Sequence, residues 1–91
     1  MQTSAVLTVL GEDKVGIVAA VSKVLAEANA NIEDIRQTIM QGVFSMMMLC
    51  DIGRAKKSFK EIKDEVITAA QEMGMEVWVQ RKEIFDRMHT I

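Results

Sequence analysis

Residues 3 to 10 form an almost unbroken apolar run with the β-branched residues Val6, Thr8 and Val9. Such a run predicts a strand buried on both faces, and Gly11-Glu12-Asp13 breaks it. Ile17, Val21, Val24, Leu25 and Ala28 then recur along one face of a helix. Asp13 is placed to cap its start, and Asn29 or Asn31 can take the left-handed conformation that ends it. Ile32 to Gln41 predicts a second strand, with Ile35, Gln37 and Ile39 on one side and Arg36, Thr38 and Met40 on the other. If the first side faces inward, the Gln37 amide needs a hydrogen-bond partner within the subunit or across an interface. Gln41-Gly42 supplies a short turn, and Phe44 to Ile52 is a third strand, apolar on both faces apart from Ser45.

Gly53 to Lys57 reads as a loop. Ser58 and Glu61 then have the spacing of a capping box, which opens a second helix with the stripe Phe59, Ile62, Val66, Ala69, Ala70 and Met73. Gly74 closes it. Met75, Val77 and Val79 alternate with Glu76, Trp78 and Gln80 as in a half-exposed strand, and Ile84, Met88 and Ile91 sit at helical spacing in the last segment. The order β-α-β-β-α-β predicts an α+β, ferredoxin-like sandwich: a four-stranded antiparallel sheet with two helices on one face and a short C-terminal tail. In that arrangement the first and third strands are central. The sequence agrees, since those two are apolar throughout while the second and fourth mix in Gln, Arg and Glu.

Length and composition narrow the picture. At 91 residues there is room for one core, burying roughly 60–65% of the unfolded surface. We expect residues 1–82 to form the domain and residues 83–91 a tail on the sheet or at a dimer interface. A net charge of −2 argues against a nucleic-acid partner, which needs an excess of Lys and Arg on one face. Arg54, Lys56, Lys57, Lys60 and Lys63 are interleaved with Glu61 and Asp64 and read as a solvated loop and helix face. The single cysteine, Cys50, has no internal disulfide partner and reads as a small buried hydrophobe. No signal peptide is evident before the first strand, and no apolar run approaches the ~20 residues of a membrane span. These features lead us to expect a cytoplasmic protein that does not meet membranes.

The ferredoxin-like fold hosts many activities, so function has to come from residues. An acylphosphatase-like enzyme needs an arginine in the loop after the first strand, where this chain has only Lys14. A metal chaperone of this fold needs paired cysteines there. An RNA-recognition module needs aromatics on the two central strands, which here carry only Phe44. Met46, Met47 and Met48 point alternately to opposite faces and cannot converge on one ion; we read them as packing residues and expect no metal and no cofactor. His89, the only histidine, reads as a tail residue. With Cys50 in a strand, no nucleophile, acid or base constellation survives, and no catalytic residues are assigned.

Gly11-Glu12-Asp13-Lys14-Val15-Gly16-Ile17-Val18, running from an apolar strand into a helix, resembles the loop of ACT domains, and Asn29-Ala30-Asn31-Ile32 resembles the family's second element. The likeness covers residues 3 to about 82. It departs at Val15, where many ACT domains carry proline, which leaves the loop less rigid. The stretch from Glu83 to Ile91 resembles the tail of free-standing small ACT-domain proteins of bacteria and archaea, which leads us to expect a complete protein. The resemblance implies a regulatory small-molecule site at Gly11, Asp13, Lys14, Val15, Gly16 and Ile17, near Asn29, Asn31 and Ile32.

Elementary chemistry points the same way. Gly11 and Gly16 permit close backbone approach, and the unpaired N–H groups of a first helical turn favour a carboxylate. An amino acid or small carboxylate is the matching guest. Asp13 either caps the helix or meets an ammonium group, and Asn31 either contacts the ligand or turns the chain. Assembly follows from counting faces. One apolar face of the third strand has no helix above it, and Trp78 has no partner, so a homodimer and the tail residues Ile84, Phe85, Met88 and Ile91 are expected to cover them. The competing reading is a ligand-free oligomerisation or docking module.

The non-enzyme reading predicts no hydrolysis of acyl phosphates above the uncatalysed rate. Turnover that disappears in a Lys14→Ala variant would overturn it.

Overall fold

A computed structural model of the chain describes residues 3–12 and 15–88. The readings made at Asp13, Lys14, His89 and Ile91 lie outside the described residues. In chain order the elements are β1 (Ser4–Glu12), α1 (Ile17–Glu27), β2 (Asn31–Met40), β3 (Val43–Asp51), α2 (Phe59–Glu72), β4 (Glu76–Arg81) and α3 (Lys82–Met88). The sheet is antiparallel with strand order β2-β3-β1-β4. This is the ferredoxin-like α+β arrangement that the sequence predicts, with β1 and β3 central.

Register explains the core. Ala5 lies opposite Cys50, Leu7 opposite Met48 and Val9 opposite Met46, while Leu7 and Val9 also meet Val79 and Val77 of β4. These side chains point to the helix layer, where Ile17, Val21 and Leu25 of α1 and Ile62, Val66 and Ala70 of α2 close over them. Each large apolar side chain buried here contributes about 1.5–3 kcal/mol. The other face of β1 is less enclosed than the unbroken apolar run suggests: Val6 is buried, whereas Thr8 and Leu10 are half-buried.

β1 runs on through Gly11 and Glu12, past the point where the glycine was expected to break it. Their partners Phe44 and Val43 continue the ladder, so strand pairing overrides the local preference. The turn after β2 has φ of 52° at Gln41 and 82° at Gly42, the backbone of a type I′ hairpin. Both long helices end in Schellman closures. In α1 the Asn29 amide donates to Ala26 O and that of Ala30 to Leu25 O; in α2 the Gly74 amide donates to Gln71 O and that of Met75 to Ala70 O. The capping box forms reciprocally, with the Glu61 amide donating to Ser58 Oγ at 3.1 Å and the Ser58 amide to Glu61 Oε1 at 3.0 Å.

β2 is the element least like its expectation. Ile35, Gln37 and Ile39 lie opposite Met48, Met46 and Phe44, hence on the helix side, yet every residue of β2 is exposed. The helices leave this edge uncovered, so Gln37 stays in solvent and needs no internal partner. The register also shifts between Ile32 and Asp34. This bulge turns Ile32, opposite Cys50, to the same side as Ile35.

Asn29 sits at φ 60°, and its Nδ2 donates to the Arg54 carbonyl at 2.9 Å. Asn29→Gly should keep the backbone and lose only the side-chain bond, whereas Asn29→Ala loses the bond and adds left-handed strain of about 1–2 kcal/mol. Urea midpoints should fall in the order wild type, Gly, Ala; an Ala variant as stable as wild type would contradict this role.

Candidate functional site

The β1–α1 loop was expected to supply the ligand site, with Asp13 as the helix cap. The cap position is instead Gly16, at φ 92° and with no side-chain cap hydrogen bond. Only the Ala20 amide takes up the Gly16 carbonyl, at 2.9 Å, so the first-turn N–H groups of α1 lack partners within the helix. Val15 is fully exposed beside this turn, and Ile17 is buried in the core, so Ile17 can offer a guest only its backbone. Gly16 has a conformational reason to be glycine, since any L side chain at that φ is strained.

Gly11 has a packing reason. A Cβ there would lie 2.6 Å from Met75 Sδ and 3.4 Å from Met75 Cα. The space next to Gly11 on the core side is thus filled by Met75, which gives this glycine a packing role.

Asn29, Asn31 and Ile32 lie elsewhere. Asn31 pairs with Asp51, which pairs in turn with Ser4 at the start of β1; Gly11 and Glu12 are at the other end, against Phe44 and Val43. With about 3.3 Å per residue, the length of β1 puts roughly 25 Å between the two ends. The residues expected to share one site therefore fall into two groups within one chain. Each group borders a hollow. One, of about 640 Å³, is lined by Gly11, Glu12, Val43 and Gly74; the other, of about 280 Å³, is lined by Asn29, Asn31, Asp51 and Arg54. In the second, Asp51 accepts from the Gly53 amide at 2.8 Å and from Thr3 Oγ1 at 2.9 Å. Those two bonds hold its carboxyl below the usual carboxylate range.

The remaining candidates are structural. Cys50 is buried between β1 and the helices, and burial pushes its thiol up to about 11, a shift the Ala5 backbone contact only partly offsets. A thiol so disposed is a poor nucleophile. Lys57 and Lys60 of the basic cluster pair with Glu65 at 2.8 Å and Asp64 at 3.0 Å. Met46 and Met48 are core and Met47 lies on the opposite face. Among the described residues no helix is long and apolar enough to cross a membrane.

With the sheet order, the β1–α1 loop and its glycine-capped helix in place, family comparison decides the class. The ACT-domain family model matches residues 3–80. The chain belongs to the ACT-domain family. It is 53% identical over 87 residues to a UPF0237 protein of Listeria innocua, covering 96% of this chain and 98% of that one. Over 86 residues it is 54% identical to a UPF0237 protein of Methanocaldococcus jannaschii, covering 94% and 96%. Among solved structures it is similar to an ACT domain protein from Streptococcus pneumoniae, with 35% identity, a TM-score of 0.78 and coverage of 94% and 97%. Free-standing small ACT-domain proteins of bacteria and archaea are thus its relatives, and the ACT domain is a regulatory domain type. The bulge at Glu33 and the distance between the two groups of residues within one chain are what sequence reasoning did not foresee. Neither leaves a mark in hydrophobic periodicity.

The Cys50 thiol ionises far less readily folded than free, so it stabilises the fold below its ordinary value of 9.0 and this contribution is lost as pH rises through about 11. Relative to a Cys50→Ala variant, wild type should lose stability across that interval, by on the order of 2–3 kcal/mol, and its thiol should resist Ellman's reagent at neutral pH. Parallel pH profiles would contradict the assignment.

Proposed function

We propose that the protein is a regulatory module that binds an amino acid or small carboxylate as a cytoplasmic homodimer, with each site built from two chains. The observation that carries this reading is the distance between the two groups of residues within one chain, combined with the bare β2 edge. Ile32, Ile35 and Ile39 make an apolar stripe along the helix side of β2, with Ile39 58% exposed. Beside them lies a row of unpaired backbone groups, a template for another strand.

Pairing two β2 edges about a two-fold axis runs them antiparallel. The start of the partner's β2 then lies against the end of this one, the end at which the β1–α1 loop emerges. α1 is the helix that contacts β2, while α2 contacts β4, and in the paired arrangement the N-terminus of α1 would face the partner. The partner's Asn31 and Ile32 would then lie near Val15 and Gly16 and close the open side of the loop. The carboxylate would take the free N–H groups of the first turn, with Asp13 or the partner's Asn31 available to an ammonium group. A ligand bound across two chains favours the paired state by its unequal affinity for the two arrangements, which is what regulation requires.

Sedimentation equilibrium and a thermal-shift panel of the standard amino acids and short carboxylates test this. Wild type should be a dimer at micromolar concentration. A bound ligand at about 100 times its dissociation constant should add about 2.7 kcal/mol. Ile35→Lys, at an exposed edge position, should give a folded monomer that has lost the ligand response. Asn31→Leu should stay dimeric and lose the response alone. A monomeric wild type, or an Ile35→Lys monomer that still responds, would overturn the two-chain site; a dimer with no response to any compound would favour the ligand-free docking module.

A further inference from the structure

The sheet face away from α1 and α2 holds a recess that the loop site does not use. α3 lies against β1 and β4 and leaves β3 and β2 largely uncovered. Between Phe85 of α3 and the outward side chains of β1 and β3 there remains a recess of about 230 Å³, floored by Val6, Met47 and Leu49. Val6 is only 7% exposed at its base, while Met47 at its side is 38% exposed.

Charge at the mouth is unevenly used. Lys82 Nζ is 2.6 Å from Asp86 Oδ2, a closed pair. The carboxylate of Asp34 accepts from the Ile35 amide at 2.9 Å and lies 3.7 Å from Arg36 Nε. Arg36 has the long contact alone, with its side chain 84% exposed. A guanidinium carries five donors in a fork that fits a carboxylate, so the unspent group at this mouth is a cation.

We propose that this recess binds a short aliphatic monocarboxylate, its tail against Val6, Leu49 and Phe85 and its carboxylate on the Arg36 guanidinium. Volume sets the size: at roughly 30 Å³ for each non-hydrogen atom, as in liquid water, the recess holds about seven or eight. Hexanoate is of that size. All the groups come from one chain, so the site does not depend on the two-chain reading above and lies on the opposite face of the sheet.

Titration of ¹⁵N-labelled protein with hexanoate, followed by amide and Arg side-chain resonances, tests the assignment. Saturable shifts at Val6, Leu49, Phe85 and the Arg36 side chain are expected. Hexanol, which keeps the tail and lacks the charge, should bind about tenfold more weakly, as should hexanoate to Arg36→Gln. Leu49→Trp should fill the recess and abolish the shifts; should that variant fail to fold, Arg36→Gln, altered only at an exposed side chain, still decides. The proposal is overturned if the shifts gather at the β1–α1 loop, if no resonance saturates, or if hexanol and Arg36→Gln match the wild-type result. It is overturned equally if the recess resonances move on simple dilution without hexanoate, since the occupant is then a second copy of the chain.

Discussion

Two helices pack side by side over the core of the sheet, and the layer they make leaves the side chains of β2 uncovered. The core is therefore assembled around β1, hydrogen-bonded on both sides and buried along Ala5, Leu7 and Val9. β2 contributes no buried residue. It is held by its ladder to β3 and by little else, so an apolar stripe and a full row of backbone donors and acceptors stay in water. A small domain with one core has few residues to spare for such an edge. An edge left in this state is the part of the fold most open to assembly.

The same shortfall organises the surface by face. On the helix side the exposed isoleucines follow the edge. On the other side α3 partly covers β1 and β4, held at its end by Gln80 Nε2 donating to Met88 Sδ at 3.1 Å. Trp78, 46% exposed, is left beside it. At the far end of the sheet the Arg81 guanidinium stacks 4.4 Å from the Phe59 ring centroid, joining β4 to the first turn of α2. The ion pairs Lys57–Glu65 and Lys60–Asp64 are local, and such pairs contribute little individually.

The two glycines of the β1–α1 loop illustrate how one residue type serves different constraints. Gly11 makes room for Met75 at the bottom of the core, and Gly16 supplies a left-handed backbone at the mouth of α1. Asn29 does at the end of α1 what Gly16 does at its start, with the added bond to the β3–α2 loop. Within one chain, the residues that resemble the family's second element lie at the opposite end of β1 from Gly11.

Much of this was legible in the chain alone. Apolar runs placed the first and third strands, period-two alternation the second and fourth and period-3.6 stripes both long helices, and the contrast between apolar and mixed strands identified the central pair. Ser58 with Glu61, Asn29 and Gly74 marked helix ends because capping is local chemistry within a few residues. The loop from Gly11 to Ile17 carried the family resemblance. Tertiary structure alone decided the rest. Gly11 and Glu12 extend β1 because Phe44 and Val43, more than thirty residues away in sequence, offer a ladder. Ile35, Gln37 and Ile39 keep the alternation of a half-buried strand, yet they are exposed because coverage depends on where the helices come to rest. Side-chain period fixes which residues share a face; only packing fixes whether that face is covered, and only the path of the chain fixes which ends of the elements meet.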